Sequence, residues 1–240
     1  MTHKPSDYFD LSQTDYAPLF DGVEYVWEVI NRISSHIQLR LNNDLTPNIA
    51  NRSLPATVTY ESNDIYIGEN VRIDPCVHIE GPCIIDDGAM IRHGAYVRAN
   101  TLVGKNAIVG HATETKNAVF LEHASAPHFN YIGDSILGQR VNLGAGAKLS
   151  NFPIKFMNLN PLPTIPLAVN GEMIDTGLSK FGAILGDDVQ LGCNAITNPA
   201  VVIGARTWVY PLVSVARGIY PADQVIKLRQ SIETTPKENR

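Results

Sequence analysis

Aliphatic residues recur at every sixth position through the middle of the chain. Ile67, Ile73, Ile79, Ile85, Ile91, Val97, Val103 and Val109 open the series, Thr115 weakens it and Leu121 resumes it. The step to Ile132 is eleven, one short of two hexads, which predicts a kink or loop at Ala124–His128. Leu137, Leu143 and Leu149 continue in a shifted register, and the period returns at Leu185, Leu191, Thr197, Ile203, Val209 and Val215. A period of six fits neither an α-helix nor a hairpin ladder. It fits short strands wound into a triangular coil, with three hexads or 18 residues per turn and the aliphatic side chains stacked along the axis. Roughly twenty hexads make about seven coils.

The flanks read differently. Residues 1 to about 20 are polar and aromatic with little periodicity, an arm lying on something else. Val23, Val26, Ile30, Ile33 and Ile37 form one apolar stripe of a helix ending near Leu41, with Asp21 as its N-cap and Glu24 completing a box. Between Asn151 and Ile184 the repeat stops, and Pro153, Pro161, Pro163 and Pro166 forbid regular coils. Apolar runs on either side of Asn170-Gly171 predict a hairpin within that long loop. Ala222 to Ile232 predicts a capping helix. The expected division is an arm and helix over 1–55, a β-helix over 56–220 with an insertion over 153–183, and a helix and tail over 221–240.

Composition narrows the class. Hydrophobic content of 44% and charged content of 18% support a sizeable core in a chain of 240 residues. A net charge of −5 argues against a dedicated nucleic-acid binder. No apolar run is long enough to cross a membrane. Three cysteines without metal-type spacing, Cys76, Cys83 and Cys193, suggest a reducing, cytoplasmic setting.

Polar chemistry concentrates in 114–152. Residues 18 apart in such a coil stand about 4.8 Å apart on one face. Arg98 and Lys116 are so spaced, and two stacked cations suggest a phosphate or carboxylate clamp. The other reading is that both point to solvent and avoid each other. His93 and His111 are also 18 apart, with His128 beyond, which gives either a metal site or surface decoration.

The segment from Arg98 to Phe152 resembles the acetyltransferase domain of the bifunctional bacterial enzyme that makes UDP-N-acetylglucosamine. The residues that carry the resemblance are Arg98, Glu114-x-Lys116, His128-x-x-Tyr131-x-Gly133-Asp134, Asn142-x-Gly144-Ala145-Gly146 and Asn151, which Phe152 follows. Lys180-Phe181 and Gly186-Asp187-Asp188-Val189 resume the likeness past the insertion. The resemblance implies a mainly β fold, a left-handed parallel β-helix of hexapeptide repeats, assembled as a homotrimer. It implies transfer of acetyl from acetyl-CoA to the amine of glucosamine-1-phosphate or a relative, in UDP-N-acetylglucosamine biosynthesis, without a metal. His128 would be the general base, suited by a histidine pKa of about 6.5, and Glu114 would orient it. Arg98, Lys116, Tyr131, Asn142 and Asn151 would hold the sugar phosphate, and Ala145 and Cys193 would lie along acetyl-CoA. Cys193 also reads as a small core-lining residue, and Asn142 and Asn151 as corner residues.

Phe152 stands where the resemblance places a tyrosine, and Pro211 where it places a small residue. Nothing before Ile67 has a Gly-rich nucleotide loop, so uridylyltransferase activity is not expected. Two other readings are a zinc enzyme like the gamma-class carbonic anhydrases, drawing on His93, His111, His123 or His128, and a non-catalytic trimeric scaffold.

Overall fold

The hexad aliphatics line the inside of a parallel β-helix, as their spacing predicts. The computed structural model describes residues 2–236. Short strands stack coil upon coil in parallel register, Ile67 beside Ile85, Ile73 beside Ile91, and Ile79 beside Val97. The interior column is closed to water, with Ile79, Ile85, Ile91, Val97, Val103 and Val109 all fully buried. Each two- or three-residue strand is too short to be stable alone, and the stacked apolar column supplies the cohesion. The solenoid makes about nine turns rather than about seven. The additional turns lie at the ends, where two strands outside the hexad series, Thr59–Glu61 and Val225–Ile226, pair with His78–Glu80 and Trp208–Val209.

The slip in the repeat is not a kink at Ala124–His128. Ser125–His128 is a strand, paired in register with Ile108–His111. The chain is instead one residue short at the same corner of two successive coils. Thr115 lies beside Val97, but Ala118 lies beside Thr101, and Ser135 beside Ala118. Phe120 and Ala126 therefore fill the interior, while Leu121 packs outside it. The tightened corners place Asn117 and Asp134 in the left-handed region, at φ 45° and 46°.

The insertion departs from that corner one coil later. Pro166–Val169 and Glu172–Asp175 form the expected antiparallel hairpin around Asn170-Gly171. The arm is a chain of 3-10 turns. The following segment is 3-10 over Val26–Arg32 and α-helical over Ile33–Asn43, with the Glu28 carboxylate reaching back to the Tyr25 N–H in place of the expected Asp21 cap. Arm, helix and hairpin pack Tyr8, Trp27, Ile33, Leu167 and Phe181 against Ile84, Leu102, Val119, Ile136, Ile184 and Val202 on one outer face of the prism. This second core seals that face with the chain's own segments.

The C-terminal helix expected over 222–232 does not form. Gln224 to Ile226 instead continues the coil, because the edge of the last turn offers unpaired backbone groups, and residues 227–236 have no regular structure. The final residues of the expected tail, 237–240, lie outside the described residues. Among the described residues no helix is long and apolar enough to cross a membrane.

Candidate active site

One outer face of the prism, between two corners, collects most of the polar residues singled out by sequence. At its first corner the backbone repeats a single device. The N–H groups of Ala112, Phe129, Gly146, Asn194 and Leu212 donate to the carbonyls of His93, His111, His128, Ala145 and Cys193, each in the preceding coil. His93, His111, His128, Ala145 and Cys193 thus form one vertical edge, with Ala112, Phe129, Gly146, Asn194 and Leu212 stacked beside it. The donors all have positive φ, and on the edge itself His93, His128 and Cys193 are exposed. His128 is exposed at this edge, its N–H held by the Asn130 side chain at 3.0 Å. Cys193 is exposed, which sets aside its core-lining reading.

Across the face, Arg98, Lys116, Tyr131, Asn151, Phe152, Leu162 and Lys180 line an open cleft of about 370 Å³. Arg98 and Lys116 face the same cleft, as the clamp reading requires. Arg98 donates to the Glu114 carboxylate at 3.0 Å and has the Glu80 carboxylate 4.0 Å from Nε. Burial is the largest single influence and works against its charge, but the hydrogen bond and charge of Glu114, with Tyr96 and Glu80 adding, together raise its pKa. Among the described residues, neither Lys116 nor Lys180 is ion-paired, so both ammonium groups are available to an anion. Asn151 is buried, donating to Asp134 at 2.5 Å and accepting from the Tyr131 hydroxyl at 3.4 Å. Burial, with Glu114 adding, pushes the Tyr131 phenol up, which keeps it a neutral hydrogen-bond donor.

Not every expected partner meets. Glu114 sits beside Tyr131 in the ladder, between the histidine edge and the clamp, and its recorded partner is Arg98 rather than His128. Asn142 is exposed on a different face, beside Ser125 and Gln190, so it does not reach the cleft of its own chain. Besides Phe152, two cleft residues carry no role from the sequence. Lys180 was hidden by the insertion that separates it from Lys116 in sequence, and Leu162 belongs to the insertion itself. The sequence likeness around Lys180-Phe181 was the signal for the first, and nothing periodic marks the second.

The histidines do not converge on a metal. His93 and His111 stack at 5.5 Å with His111 Nδ1 on the His93 carbonyl at 2.8 Å, while His123 lies on another corner, its N–H bonded to Lys105. Among the described residues the metal-like cluster is Glu61, His78 and Glu80, which contains none of the four.

The family model for the GMPPB C-terminal domain matches residues 79–208, more than half of the chain. The chain belongs to that family. The chain is also similar to curated relatives. It is 36% identical over 110 residues to the bifunctional sugar-1-phosphate nucleotidylyltransferase/acetyltransferase of Sulfurisphaera tokodaii, covering 45% of the chain and 25% of that protein. It is 33% identical over 99 residues to the bifunctional protein GlmU of Methanococcus aeolicus, covering 41% of the chain and 22% of that protein. The matched part thus spans about a quarter of those relatives' length. Among solved structures, the UDP-N-acetylglucosamine acyltransferase of Francisella novicida aligns at 14% identity with a TM-score of 0.46, over 67% of this chain and 57% of that one.

Proposed function

We propose that the protein is an acyltransferase that moves acetyl from acetyl-CoA to the amine of a sugar phosphate, glucosamine-1-phosphate or a relative. The observation that carries this reading is the cleft. Three cations, two of them not ion-paired among the described residues, stand beside neutral hydrogen-bonding groups, on a face bordered by the edge of His128, Ala145 and Cys193. The cations suit a phosphate, and Tyr131 and Asn151 suit sugar hydroxyls. The edge, with carbonyls already bonded between coils and with His128 and Cys193 exposed, suits an extended cofactor lying along the prism. The acetyltransferase in the name of the Sulfurisphaera tokodaii relative supports the same class.

In this reading the neutral amine attacks the thioester carbonyl and a C–N bond forms. His128 takes the amine proton, the C–S bond breaks, and the proton passes to the departing thiolate. The reaction is direct, and catalysis rests on positioning and one base. Glu114 stabilises the imidazolium through its field from the same face while it bonds Arg98. A threefold assembly in the cytoplasm belongs to this proposal, and would bring Asn142 of one chain toward the cleft of another.

The test is release of CoA thiol from acetyl-CoA with glucosamine-1-phosphate, with the N-acetylated sugar phosphate identified by mass. Product formation supports the reading. Absence of both product and acetyl-CoA binding sinks it.

A further inference from the structure

Three groups that do not line the cleft surround Arg98. Glu114 accepts from Nη1 at 3.0 Å. The Tyr96 ring lies 5.7 Å from the guanidinium carbon, within cation–π range. Glu80 stands 4.0 Å from Nε, a nitrogen that is buried and has no hydrogen-bond partner. Glu80 is itself tied down, because the Tyr96 hydroxyl donates to one carboxylate oxygen and the Ala99 N–H lies 3.4 Å from the other. Behind Tyr96 the His78 ring packs at 5.4 Å, with Nδ1 2.7 Å from the Thr59 hydroxyl. Glu80, which also belongs to the metal-like cluster, is therefore already committed to Tyr96 and faces Arg98.

We propose that Glu80 and Tyr96 are positioning residues that hold the Arg98 guanidinium in the orientation that clamps the substrate phosphate. The inference rests on the sugar-phosphate reading of the cleft. An arginine side chain free to rotate would lose its rotamer freedom on binding, and a cage that fixes it beforehand removes that cost. The guanidinium is bonded at one end by Glu114, with the Glu80 carboxylate an ion-pair neighbour 4.0 Å from Nε and the Tyr96 ring 5.7 Å from its central carbon. Its remaining terminal nitrogen is left for the ligand.

The sign of one substitution separates positioning from bulk electrostatics. If Glu80 acted only as a nearby negative charge, Glu80→Gln would strengthen phosphate binding, because an anion repelling the ligand is removed. If Glu80 positions Arg98, Glu80→Gln weakens binding. We expect Glu80→Gln to weaken glucosamine-1-phosphate binding by about tenfold in calorimetry, with acetyl-CoA binding and the pH profile of kcat unchanged. Tyr96→Phe keeps the ring but frees Glu80, and shifts affinity the same way by a smaller factor. In an Arg98→Lys background both changes lose their effect, since the guanidinium they hold is gone. Melting temperatures of the variants show that each is folded, and Tyr96→Phe carries the test if Glu80→Gln is not. Equal or tighter binding by the folded variants, or losses that add fully to that of Arg98→Lys, overturns the cage. Sugar-phosphate binding that follows this pattern without turnover sinks the transferase reading and leaves the cage standing. No binding by the unmodified protein overturns both.

Discussion

The Asn117 side-chain amide donates to the Asp134 carboxylate at 2.8 Å, linking the two shortened corners of successive coils. Asp134 also accepts from Asn151 of the next coil, and its carbonyl receives the N–H of Gly182, where the insertion returns. One carboxylate therefore holds three successive turns at the end of the cleft from which the insertion springs. Asp134→Asn keeps the size and tolerates the positive φ, but gives up one charged acceptor facing two amide donors. We expect a loss of about 1–3 kcal/mol in chemical denaturation, with a weaker sugar-phosphate affinity. An unchanged midpoint would show that the corner holds without this bond.

Gly110 permits the tight passage of the next coil. A Cβ there would meet the Pro127 carbonyl carbon and oxygen at 2.0 Å, and backbone cannot swing aside as a side chain can. Gly110→Ala should cost about 1–3 kcal/mol or more, read by the same denaturation. Because His128 follows Pro127, turnover should fall more than stability alone explains.

At another corner, Arg140 grips Asp188 with bonds of 2.7 and 2.9 Å, and Arg206 grips Asp223 with two of 2.7 Å. The hydrogen bonds from these arginines hold both carboxyls below their ordinary value of 3.8. The folded state then binds fewer protons than the unfolded one, so this contribution is present above pH 3.8 and is lost as pH falls through the folded values. Neighbouring Asp187 is pushed the other way by burial, partly offset by N–H bonds from Asp10 and Gln139, and its contribution is lost as pH rises. The difference in melting temperature between wild type and Asp188→Asn isolates the first effect. It should be largest near pH 6 and shrink below pH 4. A difference independent of pH would contradict the assignment.

The insertion reaches the cleft through Leu162, with Phe152 at its root. Leu162→Ser should raise KM for the sugar phosphate about two- to fivefold and leave KM for acetyl-CoA unchanged. Equal effects on both would mean that the insertion does not distinguish the two substrates.

The hexad aliphatics made the β-helix legible, because an interior column accepts little else. Asn170-Gly171 and the prolines made the hairpin legible by turn chemistry. The shortened corners were not legible. Leu121 is in phase with the hexads by number, yet Phe120 takes the interior, and an aliphatic residue buried on the outer face looks the same in sequence as one buried inside. The added turns were not legible because Thr59–Glu61 is polar, and Ile226, which packs on the interior column beside Val209, lies 17 residues on and so one short of the hexad phase. In the cleft, Arg98, Lys116, Tyr131 and Asn151 were legible from spacing and resemblance. Lys180 was separated by the insertion, and the Glu80–Tyr96 support sits at outward positions where no period constrains residue type.

The most direct measurement is kcat for His128→Ala against wild type, by thiol release at saturating acetyl-CoA and glucosamine-1-phosphate. The account predicts a fall of about 10²–10⁴, with sugar-phosphate affinity kept because the cationic cleft is intact. A variant that retains wild-type turnover would contradict His128 as the base and with it the mechanism proposed for this face.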